Sequence, residues 1–116
     1  MSGSERRTQK RRHLFYYLKV FDDLSGRLLG HLVDITPDGV MLIGSDPVRI
    51  GAEYRLRLVL PEGFGTRQDL VVAARSQWCR RDTNPDYWGI GLRLTEISQA
   101  DRSLVETMIY KFGFAH

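Results

Sequence analysis

The tightest constraint on this chain is a two-residue period that recurs along most of its length and gives way to a helical period only at the end. Tyr54-Arg55-Leu56-Arg57-Leu58-Val59-Leu60 alternates for most of its length, the pattern of a half-buried antiparallel strand. Leu14 to Phe21 is rich in aromatic and branched residues, which suits a strand. Arg27 to Ile35 reads as another, with Leu28, Leu32 and Val33 apolar and Arg27 and His31 polar. Val40 to Ile43 is a short buried strand. Leu70 to Trp78 is apolar, with Arg75 and Gln77 facing out, and Tyr87 to Leu94 is a last strand thinned by Gly89 and Gly91. Glycine in a strand often marks a bend or a close backbone approach.

Turn chemistry separates these segments. Asp22-Asp23-Leu24-Ser25-Gly26, Thr36-Pro37-Asp38-Gly39, Pro61-Glu62-Gly63-Phe64-Gly65 and Asp82-Thr83-Asn84-Pro85-Asp86 each carry turn-forming residues. In the second of them proline pre-sets φ at the second position of a type I turn, and glycine closes it. After Ser98-Gln99-Ala100-Asp101, which resembles a capping box, Leu104, Val105, Met108, Ile109 and Phe112 form one apolar face at helical spacing, and Gly113 ends the helix. The sum is a mainly β chain, a six-stranded antiparallel barrel with a C-terminal α-helix over an open end or side.

Charge is unevenly spread. The net formal charge is +3, yet Met1 to His13 holds five Lys/Arg against the single acid Glu5. Residues 1–12 read as a flexible basic arm and residues 13–116 as the barrel domain. Such an arm either meets phosphate, nucleic acid or an acidic protein face, or is simply a solvated terminus. Cys79 is the only cysteine, so an intramolecular disulfide is ruled out and a reducing compartment is favoured. His13-Leu14-Phe15-Tyr16-Tyr17-Leu18 is too short and too polar-flanked for an export signal, and no stretch approaches membrane-spanning length. A cytoplasmic location is expected.

No catalytic constellation stands out. Cys79 has Arg80 and Arg81 beside it, the kind of positive surroundings in which reactive thiols are found, but it reads as an ordinary residue at a strand end. His13, His31 and His116 lack metal-ligand spacing. There is no phosphate loop before a helix, no nucleophile elbow, and no pair of carboxylates suited to acid–base work. The expectation is a binding module, not an enzyme, with no metal and no cofactor.

Two segments carry the functional reading: Arg7-Thr8-Gln9-Lys10-Arg11, and Asp34-Ile35-Thr36-Pro37-Asp38-Gly39. Together they resemble the paired motifs of the PilZ domain family, RxxxR near the N-terminus and [D/N]xSxxG about two dozen residues later. Val72-Ala73-Ala74-Arg75-Ser76-Gln77-Trp78 and Gly89-Ile90-Gly91-Leu92-Arg93-Leu94 look like two later strands of that family. The resemblance runs from Glu5 onward, with one departure: Thr36 stands where serine is typical, keeping the hydroxyl and adding a methyl group. It implies a six-stranded barrel with a helix, and a receptor for cyclic di-GMP that signals to a protein partner in motility or biofilm-type regulation. The implied ligand residues are Arg7, Arg11, Asp34, Thr36 and Gly39, with Arg6, Arg12 and Trp78 as additional candidates.

The chemistry agrees with that implication. Guanidinium groups pair bidentately with phosphate and with guanine O6/N7, and their flat faces stack on bases. A carboxylate such as Asp34 matches the N–H donors of a guanine edge, Thr36 offers a hydroxyl, and Gly39 permits close backbone approach. A basic arm closing over a ligand held by the barrel is an order–disorder switch. Plainer readings stand beside these. Asp34 and Thr36 can serve only to cap a turn, Arg7 and Arg11 can be solvated tail, Arg80 and Arg81 can be exposed loop-edge charges, and Trp78 is expected to pack in the barrel. Two whole-protein alternatives remain. One is a nucleic-acid module with Phe15, Tyr16 and Tyr17 as a stacking platform, against which the near-neutral body counts. The other is a PilZ-like protein adaptor that binds no ligand.

Overall fold

The computed structural model describes residues 18–63 and 66–112, with the side chain of Phe112 outside that description. The alternating segments form strands β1 (Lys19–Asp22), β2 (Leu28–Thr36), β3 (Gly39–Gly44), β4 (Glu53–Val59), β5 (Asp69–Arg81) and β6 (Trp88–Glu96), followed by helix α1 (Gln99–Phe112). All neighbouring pairs are antiparallel, and the order β1-β2-β3-β6-β5-β4 closes on itself through the β1–β4 pair. The expected six-stranded barrel with a terminal helix is therefore observed. Residues 14–17, expected to open the first strand, lie outside the described residues, as does Gly113.

Alternation sends one side chain in two to the interior. Val20, Leu32, Leu42, Leu56, Leu58 and Leu70 are completely buried, and Val105 and Met108 of α1 join the same core cluster. Full burial of such side chains is worth about 1.5–3 kcal/mol each relative to exposure. Strand directions put Leu18, the Thr36–Gly39 turn, the loop after β4 and the start of β5 at one end of the barrel. The β1–β2, β3–β4 and β5–β6 connections lie at the other end.

Helix α1 covers the first of these ends. Ser98 Oγ accepts from Asp101 N at 3.1 Å, as a helix cap should. The Asp101 carboxylate takes Arg67 Nη2 at 3.3 Å, tying the helix start to the loop before β5. Near the other end of the helix, Lys111 Nζ reaches Gly63 O at 3.5 Å. Among the described residues, no helix is long and apolar enough to cross a membrane.

Candidate functional site

Asp34 owes its position to an irregularity in β2. Leu32 pairs with Leu42 and Asp34 with Met41, so Val33 is an extra residue. Such a bulge re-aims the side chains that follow it. Beyond it Ile35 is buried in the core, while Asp34 is half-buried and Thr36 exposed. Asp34 Oδ1 accepts from Ile35 N at 2.9 Å, a local bond that fixes the carboxylate against the backbone.

Thr36 organises the turn that follows. Its Oγ1 accepts from Asp38 N at 3.2 Å and from Gly39 N at 3.1 Å. Asp38 O in turn accepts from Leu94 N at 2.8 Å, binding the turn to β6. Threonine in place of serine therefore keeps the turn's backbone donors satisfied. Gly39 is required for a reason other than turn handedness. Among the described residues, the glycines with positive φ are Gly26, Gly51 and Gly63. A Cβ on Gly39 would instead lie 2.8 Å from Leu92 O on the neighbouring strand. Packing of β6 against the turn excludes any side chain there.

Trp78 departs from the expectation that it packs inside the barrel. Simple alternation after the buried Ala74 and Ser76 points it inward. However, Ser76 pairs with Leu92 and Trp78 with Gly91, which leaves Gln77 as an extra residue and reverses the phase. Cys79 now packs against the core, and the half-buried indole lies on the outer wall. There it crosses the glycines of β6. A Cβ on Gly91 would come within 2.1 Å of Trp78 Nε1, and one on Gly89 within 3.3 Å of Cζ3. The Arg80 guanidinium carbon stands 4.8 Å from the centre of the indole ring. Gly91→Ala should accordingly expel the ring from its seat and cost about 1–3 kcal/mol. The check is a thermal melt together with near-ultraviolet circular dichroism; wild-type values for both would show that the indole is not held by this glycine.

These pieces line one open groove of about 320 Å³ on the outer face, whose walls include Asp34, Thr36, Asp38, Gly39, Gln77, Trp78 and Arg93. That is near the lower limit of small-molecule sites. The chain enters β1 beside the groove, since Leu32 N donates to Leu18 O at 2.9 Å, only two positions before Asp34. From Arg11 to Leu18 the extended chain reaches at most about 25 Å. Arg6, Arg7, Arg11 and Arg12 themselves lie outside the described residues. The structure thus brings together Asp34, Thr36, Gly39 and Trp78. It adds Asp38, Gln77 and Arg93, which sequence reasoning did not nominate. Only the cross-strand register, which pairs Gly39 with Arg93, reveals that Arg93 faces this groove.

A larger concavity of about 450 Å³ lies at the opposite end of the barrel, between Leu28, His31, Ile43, Asp82 and Tyr87. Among its described lining residues there is no Lys or Arg. Among the described residues, no cluster of His, Cys, Asp or Glu is arranged to hold a metal ion.

Comparison with known proteins agrees with the barrel fold. No curated protein matches the chain. The PilZ domain of Escherichia coli YcgR, solved with c-di-GMP, is similar in fold with a TM-score of 0.62 at 11% identity, covering 84% of this chain and 81% of that one. The Bacillus subtilis inhibitor of motility MotI/DgrA is similar with a TM-score of 0.60 at 17% identity, covering 81% of this chain. The present chain spans only 44% of that protein's length. At these identities the likeness speaks for the fold. Sequence membership is separate and broader: the PilZ domain matches residues 5–111, nearly the whole chain and both motif segments, and the chain belongs to the PilZ domain family.

Proposed function

We propose that this protein is a cyclic di-GMP receptor, not an enzyme, acting in the cytoplasm and passing its state to a protein partner in motility or biofilm-type control. The observation that carries the reading is the single groove in which Asp34, Thr36, Gly39 and Trp78 converge beside the point where the chain enters β1. Asp34 accepts from the N1–H and 2-amino group of one guanine. Trp78 lends the half-buried indole that lines the groove wall to a base, with stacking worth about 1–3 kcal/mol. Gly39 keeps the groove floor free of a side chain. Arg7 and Arg11 come from the arm to the phosphates and bases, with Arg6 and Arg12 adding charge beside them, and the arm orders as it closes. A PilZ domain of the same fold with c-di-GMP bound lends support.

Isothermal titration with cyclic di-GMP and, separately, with a mixed-sequence oligonucleotide tests the reading. Saturable binding of the dinucleotide alone is expected. Binding of the oligonucleotide alone would make the protein a nucleic-acid module, and binding of neither would make it a ligand-free adaptor. Arg11→Ala removes at least one charge-assisted contact of about 1.5–3 kcal/mol. Affinity for cyclic di-GMP should then fall about ten- to a hundredfold, with the melting temperature of the free protein unchanged. An unaltered dissociation constant would remove Arg11 from the site.

A further inference from the structure

We propose that Arg93 is an additional ligand residue, a phosphate-binding arginine supplied by the barrel wall instead of the arm; this rests on the cyclic di-GMP reading above. Arg93 is exposed on β6 and is the only cation among the described residues that line the groove. Its backbone is firmly placed. It pairs with Gly39 of the motif turn on one side and with Arg75 of β5 on the other, and the next residue, Leu94, donates to Asp38 O at 2.8 Å.

The charges around it are unbalanced. Like charges directly opposite on antiparallel strands repel. Arg75 finds relief in Glu53, whose Oε2 accepts from Arg75 Nη2 at 2.9 Å. Asp38, the acid beside Gly39 in the motif turn, faces Arg102 of α1, with Nη2 to Oδ1 at 3.7 Å. Arg93 makes no ion pair, side-chain hydrogen bond or ring contact with any described residue. A cation left unpaired beside another cation, on the wall of a groove that already holds a carboxylate for a base edge, suits a phosphodiester. The planar guanidinium pairs with two phosphate oxygens at once. An arginine on a strand is already in place before any ligand arrives, so one phosphate finds its partner on the barrel wall.

The test is calorimetric titration of the full chain with cyclic di-GMP at two salt concentrations, for wild type, Arg93→Ala and Arg93→Lys, with a melt of each free protein. Arg93→Ala should weaken binding about tenfold and flatten its salt dependence. The free protein should melt at the same temperature or slightly higher, because the repulsion from Arg75 is gone. Arg93→Lys should keep the salt dependence and recover part of the affinity, since it keeps charge and loses the planar fork. If wild type binds and Arg93→Ala binds equally well, the assignment of Arg93 is wrong and the receptor reading stands. A weakened Arg93→Ala that also melts lower, with no recovery in Arg93→Lys, would mean a structural role and overturn the assignment. Failure of wild type to bind at all would instead refute the receptor reading, and Arg93's role with it.

Discussion

Asp34→Ala should lower affinity for cyclic di-GMP by at least about a hundredfold and erase the preference over cyclic di-AMP. The carboxylate matches the two adjacent N–H donors of a guanine edge, and hydrogen bonds to a charged group contribute about 1.5–3 kcal/mol each. Losing both corresponds to about two to four decades in dissociation constant. Adenine presents an acceptor at N1 and lacks the 2-amino group, so Asp34 faces a like dipole and an empty position. Asp34 also holds Ile35 N at 2.9 Å, and removing that local bond costs about 0.5–1.5 kcal/mol of stability. Asp34→Asn separates the two effects. An amide oxygen still accepts from Ile35 N, while the charge and one acceptor are lost to the ligand. Calorimetry with both dinucleotides on wild type and both variants, with melts alongside, reads the outcome. Equal wild-type affinity for the two dinucleotides would defeat guanine recognition by this residue.

Removing residues 2–12 should abolish measurable cyclic di-GMP binding and leave the barrel folded. The described core cluster runs from Leu18 to Met108, so the deletion takes away none of it. The groove by itself is open and supplies one cation, Arg93, among its described walls. A doubly anionic dinucleotide there lacks most of its charge partners. Ordering an arm costs about 1–2 kcal/mol per residue fixed. A single arginine contact of about 1.5–3 kcal/mol cannot offset several such residues. Arg6, Arg7, Arg11 and Arg12 together offset far more of it, which is why a cluster is expected instead of one residue. The double variant Arg7→Ala/Arg11→Ala should therefore lose nearly as much affinity as the deletion. Circular dichroism and a melt confirm folding, and titration reads binding. Retained affinity in the shortened chain would place recognition wholly on the barrel and refute arm closure.

Much of the fold was legible because its signals are local. The period-2 segments, the Pro37 and Gly39 turn and the Ser98 cap each depend on residues a few positions apart, and β2, β3, β4 and α1 lie where these signals put them. What was hidden depends on register. The extra residues Val33 and Gln77 shift the strand phase, and nothing in their own side chains announces it. Alternation therefore sent Trp78 to the interior, while the bulge turns it onto the outer wall over Gly91. The two glycines that look like a weak strand are the seat of that ring. β5 also runs on to Arg81, past the expected end at Trp78, because it pairs with β6 as far as Trp88. Arg93 carries no signal of its own in the sequence, because the groove it faces is assembled from four strands.

The most direct test of the account is an amide and indole NMR titration of the isotopically labelled chain with cyclic di-GMP. Saturable shifts are expected, centred on Asp34 to Met41, the Trp78 indole N–H and Gly91 to Arg93, together with ordering of the amides of residues 2–12. No shifts at saturating concentration, or shifts confined to the opposite concavity around Leu28, His31, Ile43 and Tyr87, would contradict it.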